Sequence, residues 1–189
     1  MIGGLVLAAG AGTRFGQPKQ LVELDGRPLL EHAIEAVSAA PVHRIVVVLG
    51  ASATEVIARV DPHGADFRVC ERWDEGQSAS LACGLAALSD CEAVAITLGD
   101  QPHMSPEAIR RVIAARAKGV DAVRATYAGE PGHPVLLERR LFDRMRDVTG
   151  DHGARNVLLS VPTREVACDD LGGGEDVDTP AQLDALRAL

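Results

Sequence analysis

Residues 5–20 read Leu-Val-Leu-Ala-Ala-Gly-Ala-Gly-Thr-Arg-Phe-Gly-Gln-Pro-Lys-Gln, and this stretch decides the fold. The apolar run at residues 2–7 is typical of a buried β-strand, and a loop with glycines at 10, 12 and 16 follows it. Glycine lets the backbone approach a ligand closely, and the loop also carries Arg14 and Lys19. Because backbone N–H groups and fixed positive charge suit a polyphosphate, the stretch predicts a first strand followed by a phosphate-binding loop.

The spacing within this loop excludes two common phosphate-binding motifs. A Walker loop needs Gly-Lys followed by Ser or Thr, but Lys19 is preceded by proline and followed by glutamine. A dinucleotide-binding fingerprint needs a third glycine where Phe15 stands, and an acid after the next strand, where residues 49–51 are Leu-Gly-Ala. What remains is the pattern Leu-x-x-Gly-x-Gly-x-Arg-(x4)-Lys.

A glycine-rich turn can also serve only to pack a strand against a helix. Two features favour a functional loop instead. The chain has 19 Lys and Arg residues, but only Lys19 and Lys118 are lysines. Pro18 fixes φ immediately before Lys19 and restricts Gln17 as well. We therefore expect Lys19 to contact a bound phosphate group.

The composition indicates one domain spanning residues 1–189. The apolar share is 47% and the aromatic share 3%, so we expect a core of Ala, Val, Leu and Ile. The net charge of −8 argues against a nucleic-acid-binding protein, and a site for an anionic nucleotide must create its own positive potential. We expect a cytoplasmic protein without membrane contact, because the chain opens with a strand and no apolar run approaches membrane-spanning length. The four cysteines lack metal-binding spacing, so reduced thiols are expected.

Apolar runs alternate with amphipathic segments along the rest of the chain. Strands are predicted at residues 2–7, 44–49, 67–70, 93–98, 122–127, 134–137 and 164–167. Helices are predicted at residues 28–40, 53–60, 78–88, 106–117, 139–146, 155–160 and 180–189. This alternation favours an α/β fold, with helices on both faces of a mostly parallel, twisted sheet. Because ligands of such sheets bind beyond the carboxyl ends of the strands, residues that follow strands are the candidate site residues.

Two acidic residues are predicted at this edge. Asp100 follows the apolar strand 93–98, and Asp178 precedes the final helix. Mg²⁺ prefers such oxygen ligands, usually one or two carboxylates with water and phosphate. Each residue also has a structural alternative. Asp100 suits a turn with Pro102 or a cap of the helix near Pro106, and Asp178 or Thr179 suits an N-cap before Pro180. The spacing alone leaves both interpretations open.

Three further segments are predicted in loops at the same edge. Ser78 and Ser80 lie at a helix start, where they are either capping residues or contacts to a nucleobase edge. His133 precedes a proline, where a structural role is the common one and a substrate contact the alternative. Residues 150–155 bring an acid and a base to a helix start, which suits either anion binding or capping.

Five segments together make the chain resemble the molybdenum cofactor nucleotidyltransferases, and within them the cytidylyltransferases. They occur in the family's order across nearly the whole chain. The segments are Leu7-Ala8-Ala9-Gly10 with Arg14, Gly16 and Lys19; Gly76-Gln77-Ser78 with Ser80-Leu81; Gly99-Asp100-Gln101-Pro102; Gly132-His133-Pro134; and Asp176-Val177-Asp178-Thr179-Pro180. Each segment is a weak match alone, and the ordered set of five carries the resemblance.

The resemblance implies a Rossmann-like single domain of the nucleotide-diphospho-sugar transferase type that depends on Mg²⁺. It implies transfer of NMP from an NTP to the terminal phosphate of molybdopterin, with release of pyrophosphate, and a molybdoenzyme or its insertion chaperone as partner protein. Carried over, Arg14 and Lys19 are the catalytic residues that hold the triphosphate, Asp100 and Asp178 bind the metal, and His133 faces the pterin. The implied nucleotide-binding residues are Leu7, Ala8, Ala9, Gly10, Gly12, Thr13, Arg14, Lys19, Ser78 and Ser80.

The chemistry of these residues agrees with that reaction. In-line attack of a phosphate oxygen on an α-phosphorus needs positioning and charge neutralisation rather than a covalent protein nucleophile. Arg14, Lys19 and one Mg²⁺ supply both, and an acceptor that is itself a phosphate needs no general base.

The nucleobase and the acceptor have alternatives. Guanylyl-transferring relatives tend to carry Leu-Ala-Gly-Gly where this chain has Leu-Ala-Ala-Gly, and Pro18-Lys19-Gln20 is similar to the triplet of cytidylyltransferases of isoprenoid synthesis, so CTP is expected. The nearest alternatives are a GTP-using guanylyltransferase and a nucleotidyltransferase for a sugar phosphate or methylerythritol phosphate. A molybdopterin-binding chaperone without turnover is disfavoured by Lys19 and Asp100, and a dinucleotide-binding module by the loop spacing.

Overall fold

The computed structural model describes residues 1–12, 15–148, 150, 155–172 and 174–187. Its strands are β1 (Ile2–Ala8), β2 (Glu23–Leu24), β3 (Arg27–Pro28), β4 (Arg44–Leu49), β5 (Asp66–Val69), β6 (Ala93–Leu98), β7 (Ala122–Tyr127), β8 (Glu130–Glu138) and β9 (Thr163–Ala167). Its α-helices are α1 (Leu29–Ser38), α2 (Ala53–Arg59), α3 (Gln77–Ala87), α4 (Pro106–Ala114), α5 (Phe142–Arg146), α6 (Arg155–Leu158) and α7 (Pro180–Arg187). Among these helices, none is long and apolar enough to cross a membrane.

The main sheet has seven strands in the order β5-β4-β1-β6-β8-β7-β9. Strand β1 lies between β4 and β6 and is parallel to both, so that Leu5 is paired with Val46 on one side and Ile96 on the other. Strand β8 runs antiparallel to β6 and β7, and β9 is parallel to β7. The predicted α/β fold with a mostly parallel sheet in a single domain is therefore confirmed.

Alternate residues of β1 face opposite layers of the molecule, as the two-residue period of a strand requires. Leu5 belongs to an apolar cluster with Leu85 of α3 and Phe142 of α5. Val6 belongs to a second cluster, which includes Ile34 of α1 and residues of α2 and α4. The central strand is therefore covered on both faces, which is why its sequence is a continuous apolar run.

A short hairpin of β2 and β3 was not predicted from the sequence. Its turn residues, Asp25 and Gly26, have φ values of 52° and 76°, as a two-residue type I′ turn requires. The dipeptide Asp-Gly is the sequence feature that could have indicated it. Strand β8 also begins four residues earlier than expected, at Glu130, because the positive φ values of Ala128 and Gly129 make a tight turn from β7.

The hairpin packs on the end of the chain through a small apolar cluster. Val22, Leu24 and Leu29 from the hairpin region meet Val177 and Leu183 from the C-terminal segment. All five side chains are at most 5% exposed. This cluster holds the residues before α7 close to the loop that follows β1, although the two segments are far apart in sequence.

Candidate functional site

Lys19, Asp100 and Asp178 meet at the carboxyl edge of β1 and β6. The Lys19 Nζ atom donates to Oδ2 of Asp100 and to Oδ1 of Asp178, at 2.7 Å in each case. The Lys19 side chain is only 13% exposed, which strengthens both ion pairs relative to pairs in open solvent. Three residues singled out from the sequence therefore form one cluster, although they come from three distant segments.

Gly12 is the loop glycine that this arrangement requires. Its φ is 60°, and a Cβ atom there would lie 2.6 Å from the Lys19 backbone nitrogen and 2.7 Å from the Lys19 Cβ. Gly10 and Gly16 have open space where a Cβ would be. Gly12 thus allows the loop to close against Lys19, while Gly10 leaves the backbone accessible. Thr13 and Arg14, also predicted for this loop, lie outside the described residues.

Gln20 organises the same loop, and sequence analysis missed this role. Its Nε2 atom donates to the carbonyl oxygens of Ala8 and Gly10, at 2.6 and 2.8 Å, and the residue is 6% exposed. Because a peptide N–H points opposite to its carbonyl, these bonds direct the N–H groups of Ala9 and Ala11 away from Gln20. Its partners are main-chain atoms, which leave no signature in sequence beyond the position of Gln20 next to Lys19.

A cavity of about 300 Å³ opens over this cluster. It is lined by Leu7, Ala8, Gly10, Gly12, Phe15, Lys19, Gln20, Gly99, Asp100 and Asp178. Five of the ten residues predicted to bind the nucleotide, Leu7, Ala8, Gly10, Gly12 and Lys19, are therefore on one surface.

A neighbouring cavity of about 390 Å³ shares Leu7, Gly10 and Asp100 with the first. It is also lined by Ala9, Trp73, Asp74, Gly76, Gln77, Ser80 and Leu98. Trp73, which sequence analysis did not single out, packs closely here. A Cβ atom on Gly50 would lie 2.6 Å from Trp73 Cγ and 2.4 Å from the carbonyl oxygen of Ala9. The presence of a single tryptophan in the sequence, shortly before a predicted helix, was the feature that could have indicated the role of Trp73 in this cavity.

The two serines predicted near a base line different cavities, because residues two positions apart in an α-helix point in nearly opposite directions. Ser80 lines the cavity that contains Trp73. The Ser78 hydroxyl donates to the carbonyl oxygen of Gly150 at 2.8 Å, and Ser78 lines a different cavity, with Cys70 and Cys83. The structure thus gives Ser78 a partner that ties the start of α3 to the segment after α5.

His133 lies in a third cavity, of about 420 Å³, which shares Leu7 with the two cavities described above. Its wall combines apolar and polar side chains: Leu7, Leu81, Ile96, Pro131, Val135, Leu158 and Leu159 on the one hand, and Gln77, Arg124, Glu130 and Arg155 on the other. Burial lowers the pKa of His133 to about 4, although the negative charge of Asp100 acts in the opposite direction. His133 is therefore neutral near pH 7 and is available for hydrogen bonding rather than for charge pairing.

The carboxylates fit a hard divalent cation. Asp100 Oδ1 is buried without a hydrogen-bond partner, so this oxygen is available to a ligand. Within the described ranges, no group of three or more His, Cys, Asp or Glu side chains is arranged to hold a metal. Two carboxylates completed by phosphate and water are the usual Mg²⁺ arrangement, whereas a protein cage of several ligands is not.

A third carboxylate, Asp176, lies beside these two. It accepts a hydrogen bond from Gln101 Nε2 at 2.7 Å. Partial burial raises the pKa of the Asp176 carboxyl, and the negative charge of Asp100 raises it further, whereas the hydrogen bond from Gln101 lowers it. Both residues belong to motifs quoted for the resemblance, but the sequence did not indicate that they contact each other.

The comparisons with known proteins agree with this geometry. Residues 4–166 match the model of the MobA-like NTP transferase domain. Nicotine blue oxidoreductase of Paenarthrobacter nicotinovorans is 34% identical over 95% of this chain and 93% of its own length. The bifunctional protein GlmU of Sorangium cellulosum is 33% identical over 77% of this chain, which corresponds to 33% of GlmU.

Solved structures extend the likeness to three dimensions. Rv0371c of Mycobacterium tuberculosis superposes with a TM-score of 0.88 at 31% identity, covering 100% of this chain and 98% of Rv0371c. A manganese complex of the same protein superposes with a TM-score of 0.85 at 30% identity, covering 99% of this chain and 98% of Rv0371c. The family model spans most of the chain, including the loop after β1 and the Asp100 turn. The chain therefore belongs to the family of MobA-like NTP transferase domains and is a nucleotidyltransferase.

Proposed function

We propose that this enzyme transfers CMP from CTP to the terminal phosphate of molybdopterin or of its molybdenum-loaded form, with release of pyrophosphate and with Mg²⁺ as cofactor. The observation that carries the proposal is the contact of Lys19 with both Asp100 and Asp178 at the open edge of the loop after β1. Such a cluster places one fixed cation and two metal-binding carboxylates where a triphosphate would meet the backbone N–H groups.

Asp100 and Asp178 would hold the metal, with Asp100 Oδ1 as the orphaned buried oxygen. When bound, Mg²⁺ would neutralise charge on the phosphates of the nucleotide. The solved manganese complex of the relative Rv0371c supports a divalent cation as cofactor.

The residues of the chain itself position and stabilise the reacting groups. The Lys19 ammonium group would stabilise negative charge that builds on the bridging oxygen as pyrophosphate leaves. The backbone N–H groups of Ala9 and Ala11, oriented by Gln20, would donate to phosphate oxygens. Arg14 stays a predicted second cation. No protein nucleophile is needed, because the acceptor phosphate attacks the α-phosphorus directly.

The preference for CTP rests on the cavity that contains Trp73. Ala9 is 7% exposed and lies in its wall, so its methyl group takes space that a second glycine would leave for a purine. Ser80 and main-chain groups nearby can bind the polar edge of cytosine, and an unpaired polar group opposite the wrong base would be penalised.

The acceptor proposal rests on the third cavity together with the family resemblance. The apolar side chains of its mixed wall suit a flat heterocyclic group, neutral His133 can hydrogen-bond to the polar edge of that group, and Arg124 and Arg155 add positive charge for a phosphate. The protein partner that would receive the product is a molybdoenzyme or its insertion chaperone.

Pyrophosphate release with CTP, GTP and UTP, each with molybdenum cofactor, tests the proposal. We expect a higher kcat/KM for CTP than for GTP, and Ala9→Gly should reduce this ratio without abolishing turnover. Trp73 is the only tryptophan, so its fluorescence reports nucleotide binding independently of turnover. A ratio that favours GTP would make the enzyme a guanylyltransferase.

Two further measurements accompany this assay: one with other phosphate acceptors and one of an oxidoreductase reaction. Turnover with a sugar phosphate or methylerythritol phosphate, but not with molybdenum cofactor, would contradict the acceptor proposal. Because one relative is named nicotine blue oxidoreductase, the reduction of nicotine blue by a reduced nicotinamide dinucleotide should be measured in parallel. Reduction of nicotine blue without any pyrophosphate release would contradict the proposed transfer.

A further inference from the structure

The segment before α7 runs beside the loop that follows β6 and is tied to it by hydrogen bonds. Gln101 Nε2 donates to Oδ1 of Asp176 at 2.7 Å and to the carbonyl oxygen of Gly174 at 3.4 Å. Gln101 is 2% exposed, so the donor end of these bonds is shielded from water, whereas Asp176 itself is exposed. The backbone N–H of Val177 donates to the carbonyl oxygen of Asp100 at 3.0 Å, which adds a main-chain tie between the same two segments.

Three successive residues of this segment meet different surroundings. Val177 is fully buried in the small cluster with Leu24 and Leu183. Asp176 meets Gln101, and Asp178 meets Lys19. Only Val177 separates Asp176 from Asp178, so their Cα atoms lie at most about 7 Å apart. Fixing Asp176 therefore fixes the position from which Asp178 reaches the site.

The orientation of the Gln101 amide is set by this contact. Its Oε1 atom is buried without a hydrogen-bond partner, so the amide leaves its acceptor unpaired in order to place its donor on Asp176. The reverse orientation would bring a carbonyl oxygen against a carboxylate. A neutral donor also suits the place chemically, because a second cation here would compete with Lys19 and with a metal for the carboxylates.

Asp178 has a second tether of a different kind. Its backbone N–H donates to Oε1 of Gln182 at 2.9 Å, within the first turn of α7. That bond fixes Asp178 relative to α7, whereas the bonds of Gln101 fix the segment relative to β6 and hence relative to Asp100.

We propose that Gln101 is a positioning residue, which acts through Asp176 to hold Asp178 beside Asp100 and thereby sets the affinity of the site for a divalent cation. The inference rests on the proposed function, since it assigns the two carboxylates to the metal. Neither Gln101 nor Asp176 touches the reacting atoms.

Four variants test this role. Gln101→Met keeps the length of the side chain without its donor, and Asp176→Val removes the acceptor. Asp176→Asn keeps an acceptor oxygen, and Glu175→Gln is the matched control on an exposed neighbouring carboxylate. The probe is Mn²⁺ alone, titrated into each protein while the free ion is followed by electron paramagnetic resonance.

We expect Gln101→Met and Asp176→Val each to weaken Mn²⁺ binding about 10-fold, as is usual when a residue that orients a metal ligand is lost. The double variant should bind no more weakly than either single variant, because both remove the same contact. Asp176→Asn should stay within about twofold of the parent, and Glu175→Gln should equal it. In pyrophosphate release with CTP, the first two variants should need about 10-fold more Mg²⁺ for half-maximal rate but recover the parent kcat at saturation.

Several outcomes would overturn the inference. Folded Gln101→Met protein with unchanged Mn²⁺ affinity would show that the contact does not position Asp178. Equal losses in Asp176→Asn and Asp176→Val would assign the effect to the negative charge of Asp176. Hydrogen exchange at the Val177 N–H gives a second measurement, and unchanged protection in Gln101→Met would also contradict the role. If the parent released no pyrophosphate with CTP, the proposed function would fail, while Mn²⁺ binding and hydrogen exchange would still decide the role of Gln101.

Discussion

The two sides of the site are built in different ways. The phosphate side, of about 300 Å³, is made by one continuous loop, its glycines and a cation held between two carboxylates. The proposed acceptor side, of about 420 Å³, is made by apolar and charged side chains that come from several strands and helices, among them α3, β6, β7, β8 and α6. The first side depends on charge and backbone conformation, whereas the second depends on the shape left between packed elements. Substitutions on the two sides should therefore fail in different ways.

The largest effect is expected on the phosphate side, at Lys19. Lys19→Ala should lower kcat about 10²- to 10³-fold, because it removes a preorganised group that stabilises developing charge. Steady-state pyrophosphate release measures this loss, and circular dichroism verifies the fold. Lys118→Ala is the matched control, because Lys118 is the other lysine and is exposed. Near-parental release by folded Lys19→Ala protein would remove Lys19 from the catalytic set.

The two carboxylates should differ from each other in the size of their effects. Asp100→Asn should abolish most Mg²⁺-dependent activity, while Asp178→Asn should lose less if its role is to bind through water. The Asp100 side chain is 30% exposed and that of Asp178 is 47% exposed, which agrees with a deeper position for Asp100. The rate is measured against Mg²⁺ concentration for each variant. A parental Mg²⁺ curve for Asp100→Asn would identify Asp100 as a turn residue.

On the proposed acceptor side, a polar substitution should change the KM for one substrate only. Leu159 is 72% exposed at the edge of the cavity, so Leu159→Asp should cost little stability. We expect KM for molybdenum cofactor to rise about 10-fold through the lost apolar contact, with nucleotide binding by Trp73 fluorescence unchanged. Ile57→Asp, at another exposed apolar residue, is the control. Equal KM values for molybdenum cofactor in the two variants would show that Leu159 does not contribute to acceptor binding.

The smallest effect is expected in stability as a function of pH, through His133. Its pKa is lowered from 6.5 to about 4, so the folded protein favours the neutral ring and the unfolded chain binds the proton first. The stabilisation is complete above about pH 6.5 and is lost as pH falls towards 4, with a change of about 1–3 kcal/mol.

Urea unfolding between pH 7.5 and 4.5 measures this change. His133→Gln should flatten the dependence over that range, while His103→Gln, at an exposed histidine, should retain it. A parental pH dependence in His133→Gln would assign the proton uptake to other groups.

The central elements could be predicted because their sequences respond mainly to local periodicity and burial. Strands β1, β4 and β6 coincide with the predicted runs to within one residue. The hairpin of β2 and β3 was missed because its strands are only two residues long and depend on one turn and on packing against the C-terminal segment. The long antiparallel β8 was shortened in the prediction because Pro131 and Gly132 disfavour a strand on their own.

The candidate site likewise combines features that local sequence indicates with features that depend on tertiary packing. Lys19, Asp100 and Asp178, which the structure brings together, were singled out because charged residues at predicted strand ends and helix starts are conspicuous. Gln20, Gln101 and Trp73 were missed because their roles lie in contacts with groups that the sequence does not place near them. Ser78 was predicted either as a capping residue or beside a nucleobase, and the contact of its hydroxyl with the carbonyl oxygen of Gly150, 72 positions away in the chain, was not predicted.

The sequence by itself determined the class of fold, the glycine-rich loop after β1 and the residue types that meet at its edge, because periodicity, glycine and charge act over a few neighbouring residues. The tertiary structure alone decided that Lys19 bridges the two carboxylates, that Gln101 holds Asp176, and that a cavity with apolar and charged walls opens beside His133. Those features depend on the order of strands in the sheet and on packing between distant segments, which bring together side chains up to 159 positions apart.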